Sequence, residues 1–212
     1  MDFRRGSGRN VSRGPILAIL VSRAPGPSSK TRLAKRLGAV RAKELAGAMV
    51  QDCWDVLGRA GFRRVLATDG PVAAYPFSPD ESWDQGSGDL ADRLTALTLR
   101  GLTEARAVIF LGGDSPDLPA SCVVAAADAL AETGAVFIPS TDGGFVLMGL
   151  RASVDLKAVR WSTAHTLHDA TQAARAAGLS VAHLPTHFDV DEVADIDRLG
   201  PCTTRDVWER IR

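Results

Sequence analysis

The sequence predicts an α/β protein, a three-layer α/β/α sandwich around a mostly parallel sheet. Three observations carry this. Short continuous apolar runs, such as 16–21 and 107–111, have the pattern of strands buried on both faces. Amphipathic stretches of helical period alternate with them, as in successive βαβ units. No linker is long enough to divide the chain, so it reads as a flexible basic tail over 1–13 and one domain over 14–212.

The elements follow in order. Ile16 to Val21 is a strand, and Ala24 to Ser29 is a Pro/Gly/Ser loop. Lys30 to about Arg59 is helical, with Leu33, Leu37, Leu45, Met49 and Val56 at helical intervals and Gly38 and Gly47 as interruptions. Arg64 to Thr68 is a second strand, and 69–88 is loop. Asp89 to Glu104 is a helix, Ala107 to Leu111 a strand and Ser121 to Glu132 a helix. Strands at Ala135–Ile138 and Phe145–Leu150 flank a Thr141-Asp142-Gly143-Gly144 turn. Thr163 to Ala177 is a helix, Leu179 to Leu184 a strand, and 191–212 is helical in pieces.

Composition excludes several classes. Of 212 residues, 45% are hydrophobic and 24% charged, ordinary for a globular domain able to bury a core without staples. The formal net charge is zero, so no global field calls for nucleic acid or a membrane, and anion binding must come from a local cluster. Cys53, Cys122 and Cys202 are odd in number and widely spaced, which argues against a disulfide framework and fits a reducing cytoplasm. His165/His168 and His183/His187 have helix-like spacings without a His-Glu-x-x-His pattern, and Pro185 opposes a helix at the second pair. No apolar run spans a bilayer, and the N-terminus lacks a signal peptide's long apolar region.

Three loops fall at the carboxyl ends of strands, where open α/β sheets bind ligands. The first ends in Ser29-Lys30-Thr31-Arg32 at a helix start, a place suited to phosphate. Cations there oppose the helix dipole, so Lys30 and Arg32 favour an anionic ligand. A P-loop is excluded because Ala24 and Ser29 stand where its glycines belong. The second loop, Gly112-Gly113-Asp114-Ser115-Pro116-Asp117, offers Asp114 as a ligand for a hard divalent cation. Ser115 and Asp117 read instead as turn or helix-capping residues. The third is the loop holding Asp142. A further element, Asp189-Val190-Asp191 after the strand to Leu184, carries two carboxylates that point the same way if extended. Asp191 is equally readable as a helix N-cap. Asp89 reads as an N-cap, Asp142-Gly143-Gly144 as a hairpin turn, and Trp161-Ser162-Thr163 as a staple with a capping hydroxyl.

Six blocks in order resemble the DUF2064 family of GT-A-like transferases. They are Ala24-Pro25 with Lys30-Thr31-Arg32-Leu33, Gly88-Asp89-Leu90 with Arg93-Leu94, Gly113 to Leu118, Asp142 to Phe145 with Gly149-Leu150, Trp161-Ser162-Thr163, and Asp189-Val190-Asp191. The chain is more distantly similar to 2-phospholactate guanylyltransferase and to molybdenum-cofactor nucleotidyltransferases. The resemblance implies a GT-A, nucleotide-diphospho-sugar-transferase fold. It implies that Ser29, Lys30, Thr31, Arg32 and Asp89 meet a nucleotide, and that Asp114 and Asp191 hold Mg2+ or Mn2+. It further implies that Asp142, Gly143, Gly144, Ser162 and Thr163 border the acceptor. The family often has Pro-Gly-Arg-Val before Lys-Thr-Arg; here the loop is the shorter Pro27-Ser28-Ser29.

The function expected first is metal-dependent nucleotidyl transfer. An NMP moves from an NTP to a small phosphorylated or carboxylated acceptor, with Lys30, Arg32 and Asp114 as the catalytic set. The alternatives are a glycosyltransferase using a nucleotide-diphospho-sugar, and a binding protein that keeps the fold without turnover. Partners are then a nucleoside triphosphate or nucleotide sugar and a small-molecule acceptor, with no nucleic acid and no membrane. A homodimer is admitted by the sequence but not required by it.

Overall fold

The computed structural model describes residues 16–26 and 30–212. The tail over 1–13 and Ser29 lie outside the described residues. Seven strands form one sheet in the order β3-β2-β1-β4-β6-β5-β7. In chain order these are β1 (Leu17–Ser22), β2 (Arg63–Thr68), β3 (Ser82–Asp84), β4 (Val108–Gly112), β5 (Ala135–Pro139), β6 (Phe145–Leu150) and β7 (Val181–His183). Only β6 runs antiparallel to its neighbours β4 and β5. The helices are α1 (Thr31–Leu37), α2 (Ala39–Arg59), α3 (Leu90–Glu104), α4 (Ala120–Glu132), α5 (Thr166–Ala176), α6 (Val193–Ile196) and α7 (Thr203–Ile211).

Alternation along the strands builds the three layers. Ala18, Leu20, Ile109 and Leu111 pack with residues of α2 and α4 on one face. Leu17, Ile19, Val108 and Phe110 pack with residues of α3 and α5 on the other. Both faces of β1 and β4 are covered, which is why their sequences are continuous apolar runs. Full burial of one such side chain contributes about 1.5–3 kcal/mol relative to leaving it exposed.

The long helix expected over 30–59 is two helices. At Gly38 φ is 82°, a left-handed conformation that ends α1 and starts α2 in a new direction. Gly47 does not interrupt α2; it sits buried inside the helix. The segment 69–88, expected as loop, holds the short strand β3 and a 3₁₀ turn at Val72–Ala74. Only Trp83 of β3 turns into the core, with the Arg100 guanidinium over its ring at 3.9 Å. A three-residue strand with one inward residue gives too little alternation to read in sequence.

A third apolar cluster joins α1 and α2 to the C-terminal segment through Leu33, Leu45, Met49, Val190, Val207 and Trp208. A buried carboxylate completes this docking. Asp52 of α2 accepts from the backbone N–H groups of Thr203 (3.0 Å) and Thr204 (2.7 Å) and from the Thr204 hydroxyl (2.7 Å). It thus satisfies the first amides of α7 from across the cluster, as an N-cap side chain does locally. No helix among the described residues is long and apolar enough to cross a membrane. Replacing Asp52 by Ala leaves those donors buried and unpaired. We expect a loss of about 1–3 kcal/mol in urea unfolding, with a smaller loss for Asp52→Asn, which keeps one acceptor oxygen.

Candidate active site

The strand order reverses between β1 and β4, which are parallel: the chain leaves β1 for β2 and β3 on one side, then crosses to β4 on the other. Loops diverge there and leave a crevice at the carboxyl ends of the strands. That crevice is a cleft of about 810 Å3. Its walls include Lys30, Thr31, Arg32, Asp89, Asp114, Asp142, Ser162 and Asp191, so eight of the residues singled out in the sequence meet in one place.

The geometry centres on Lys30. Its ammonium donates to the Val190 carbonyl at 2.6 Å and lies 2.9 Å from Asp114 Oδ1 and 3.7 Å from Asp191 Oδ1. The Arg32 guanidinium donates to Asp191 Oδ2 at 2.7 Å. Arg32 is 68% exposed, so this pair contributes little to stability and leaves most of the cation facing the cleft. The Lys30 side chain is only 12% exposed. Its backbone is left-handed, with φ 52°. Lysine adopts that conformation at a cost of roughly 1–2 kcal/mol, offset here by the bond to the Val190 carbonyl and the ion pair with Asp114.

Glycine brings Asp114 into place. A Cβ at Gly113 would lie 3.0 Å from Val50 Cγ2 and 3.4 Å from Ser22 Oγ, so the loop after β4 packs against α2 and β1. The segment after β7 is then tied to that loop. Val190 N–H donates to the Asp114 carbonyl at 2.7 Å, Ser115 Oγ to the Phe188 carbonyl at 3.2 Å, and His187 Nε2 lies 3.0 Å from Asp117 Oδ1. Neither Ser115 nor Asp117 caps α4, whose N-cap is Pro119. Asp191 does not cap a helix either. Glu192 is the N-cap of α6, in a capping box with Asp195, which leaves the Asp191 carboxylate to Lys30 and Arg32.

The opposite wall is built around α5. Gly143 has φ 91°, and a Cβ there would collide with the Ala164 backbone. Its carbonyl accepts from Leu167 N–H at 3.0 Å, holding the β5–β6 turn against the start of α5. Asp142 Oδ1 receives the Gly144 N–H at 2.9 Å and the Ser140 hydroxyl, shaping the turn. Gly143, Gly144 and Thr163 do not line the cleft. Thr163 Oγ1 donates to the Arg160 carbonyl at 2.8 Å, so these three position Asp142 and Ser162. Ser162 and Lys30 are the two non-glycine residues with positive φ among those described, and both face the cleft. Strained backbone of this kind gathers at functional sites.

Sequence reasoning missed Gln85. It is 4% exposed, donates from Nε2 to the Ser22 and Ala67 carbonyls at 2.9 Å each, and lines the cleft beside the ends of β1 and β2. Nothing local in a Gly/Ser-rich stretch marks it. Asp89 caps α3, accepting from Asp92 N–H at 2.9 Å, and also lines the cleft. Arg93, one turn on, lines it too, its Nε donating to the Gly88 carbonyl at 3.1 Å.

The acidic side chains carry unneutralised charge. Burial, and then the negative charge of Asp142, pushes the Asp189 carboxyl upward, with Asp191 and Asp114 adding to the effect. Such a cluster favours a cation. Asp114 and Asp191 share the Lys30 ammonium, so a cation already stands between their oxygens. Among the described residues no three His, Cys, Asp or Glu side chains form a closed cage. Two carboxylates with substrate phosphates as the remaining ligands match how Mg2+ is held at phosphate-transfer sites. The donor set fits such an ion. Beneath the site, burial pushes the Cys53 thiol up, so it stays protonated; all three cysteines are free.

The matches to known proteins agree with this architecture. A family model described as an uncharacterized protein conserved in bacteria, DUF2064, matches residues 48–163. The chain belongs to the DUF2064 family. The matched span includes Asp89, Asp114, Asp142 and Ser162 but not Lys30, Arg32 or Asp191. No curated protein matches the chain. Among solved structures it is similar to a provisionally named nucleotide-diphospho-sugar transferase of Desulfovibrio desulfuricans G20 (TM-score 0.79, 23% identity, 93% of this chain and 95% of that one). It is similar to CMP:2-keto-3-deoxy-manno-octonic acid synthetase complexed with CTP (TM-score 0.57, 12% identity, 93% and 100%). It is also similar to Rv0371c of Mycobacterium tuberculosis H37Rv complexed with manganese (TM-score 0.56, 17% identity, 87% and 97%). At these identities the likeness establishes the GT-A-like fold of this DUF2064 member.

The wall carrying Ser162 depends on one ion pair. Asp169 receives Arg160 Nε at 2.8 Å, Arg160 Nη2 at 2.9 Å and the Arg160 N–H at 3.1 Å. These bonds, the side-chain ones first, hold its carboxyl well below the usual range. A depressed folded-state pKa means the stabilisation is present above the unfolded carboxyl value, about 3.9, and is lost as pH falls from there through the folded value. Asp169→Asn should therefore lower the thermal midpoint at pH 7, with the gap to wild type closing below about pH 4. A gap independent of pH would sink this account.

Proposed function

We propose that this protein is a metal-dependent transferase that uses a nucleoside triphosphate and moves its NMP to a small acceptor carrying a phosphate or carboxylate. One observation carries the reading: Lys30, Arg32, Asp114 and Asp191, from three segments far apart in sequence, converge on one wall of the cleft with ion-pair distances of 2.9, 3.7 and 2.7 Å. Cations to neutralise a polyphosphate and carboxylates to hold a divalent ion are what phosphoryl-type transfer needs, since the chemistry rests on positioning and charge stabilisation more than on a protein nucleophile. Relatives of the same fold solved with CTP and with manganese support this choice.

In this reading Asp114 and Asp191 hold Mg2+ or Mn2+, which supplies charge neutralisation at the phosphates. Lys30 and Arg32 bind phosphate oxygens, with Thr31 lining the cleft between them. Asp89 and Arg93 line the nucleoside side of the cleft, and Asp142 and Ser162 border the acceptor. The three free thiols suit a cytoplasmic setting. Glycosyl transfer from a nucleotide sugar is the second reading. What favours it is the wall of Asp142, Ser162 and Asp189, which suits the hydroxyl donors of a sugar acceptor.

A thermal-shift screen of NTPs and of UDP- and GDP-sugars, each with and without Mg2+, separates the two. We expect metal-dependent stabilisation by one NTP, followed by pyrophosphate release with a phosphorylated acceptor. Asp114→Ala should lower kcat/KM by about 100-fold or more. Full activity in that variant would remove the metal reading, and stabilisation by a nucleotide sugar alone would favour glycosyl transfer.

A further inference from the structure

An ammonium has three N–H donors and no acceptor. The Lys30 ammonium donates to the Val190 carbonyl at 2.6 Å, lies 2.9 Å from Asp114 Oδ1 and stands 3.7 Å from Asp191 Oδ1, facing both carboxylates. The same two carboxylates are those assigned above to a divalent cation. A metal bound between them would stand close to the ammonium, where like charges repel. Arg32 does not compete in this way, because it bonds the other oxygen, Asp191 Oδ2, from an exposed position.

For the metal to bind, the ammonium must find another anion within reach of the loop between β1 and α1. No other carboxylate pairs with Lys30 among the described residues; of the anions in the proposed reaction, the acceptor is placed at the wall of Asp142 and Ser162, which leaves the polyphosphate for Lys30. We propose that Lys30 is a resident counter-ion that holds the Asp114–Asp191 position until a polyphosphate arrives to receive it. The cleft therefore takes its divalent cation as a metal–polyphosphate complex and not as the free ion. This rests on the functional reading above and adds what that reading leaves open, the form in which the metal enters. The exchange is a swap of ion pairs, with no covalent step: Lys30 passes from carboxylates to phosphate as the carboxylates pass from ammonium to metal. A ligand that offers both new partners binds with favourable coupling, and one that offers only the metal must displace Lys30 uncompensated.

The test uses the full chain, wild type and Lys30→Met, with Mn2+ alone and with preformed Mn2+–tripolyphosphate, which needs no knowledge of the base. Free Mn2+ is followed by electron paramagnetic resonance and the complex by calorimetry. Wild type should bind the complex more tightly than the free ion. Lys30→Met should reverse the order, gaining about tenfold or more for Mn2+ alone and losing about tenfold for the complex. A residue that merely supported the loop would lower both. Because the variant leaves Asp114 without its ion pair and Asp191 with Arg32 alone, its thermal midpoint is read with and without Mn2+, and the ion should stabilise it more than it does wild type. If Asp114-dependent binding of the complex is seen but Lys30→Met gains nothing for the free ion, the counter-ion inference falls and the functional reading stands. If wild type binds neither form, or Asp114→Ala binds both unchanged, both fall.

Discussion

The cleft depends on one residue, Val190. Its side chain is fully buried in the cluster beneath α1 and α2, its N–H is bonded to the Asp114 carbonyl, and its carbonyl receives the Lys30 ammonium. A single peptide segment thus ties together the loop after β1, the loop after β4 and the chain after β7. Because Val190 points into the core, the residues on either side of it point away, and both Asp189 and Asp191 line the cleft. An apolar anchor between two acids converts hydrophobic burial into the placement of charge. The Asp52 cap on α7 secures the same segment further along, through the cluster that Val190 shares with Val207 and Trp208.

What this anchoring gathers is unfavourable taken alone. Burial, and then the negative charges of Asp142, Asp191 and Asp114, push the Asp189 carboxyl upward. Lys30 and Ser162 hold left-handed backbones without glycine's freedom. These costs fall in one cleft while the sheet beneath is regular and its central strands are fully buried. Departures from local consistency concentrated at one site are the mark of a site shaped for a ligand. The ligand that relieves them brings cations to the carboxylates and anions to Lys30 and Arg32, as a metal–polyphosphate does.

The fold narrows the chemistry without choosing the reaction. The position of the cleft follows from topology: the strand order runs outward from β1 to one side and then resumes at β4 on the other, and the crevice at that switch collects the loop residues. Many transferases share such a sheet, and fold alone does not assign a substrate. The discriminating features lie in the walls. Lys30 and Arg32, paired with Asp114 and Asp191, line the β1–α1 side, while Asp142 and Ser162 line the side built by the β5–β6 turn and α5.

By itself the sequence determined the layered α/β architecture, because strands buried on both faces must be continuously apolar and helices on the faces must be amphipathic. It also determined the residue types of the site: Lys30, Arg32, Asp114 and Asp191 could be picked out because charges after buried strands or at a helix start conflict with local preference. Where local chemistry had two uses, it was ambiguous. Asp191 and Asp117 both read as caps, and only the tertiary structure gave Asp191 to Lys30 and Asp117 to His187. Gly38 and Gly47 looked alike in one helix, but only Gly38 meets a turn that needs positive φ. The strand at Trp83 and the buried Gln85 were hidden because their partners, the carbonyls and strand edges of β1 and β2, lie some 20 to 60 residues away. The capping role of Asp52 toward a helix about 150 residues later was hidden for the same reason. Burial and period are local properties that a chain carries in its order of residues; which acceptor a given donor meets is decided only when distant segments pack.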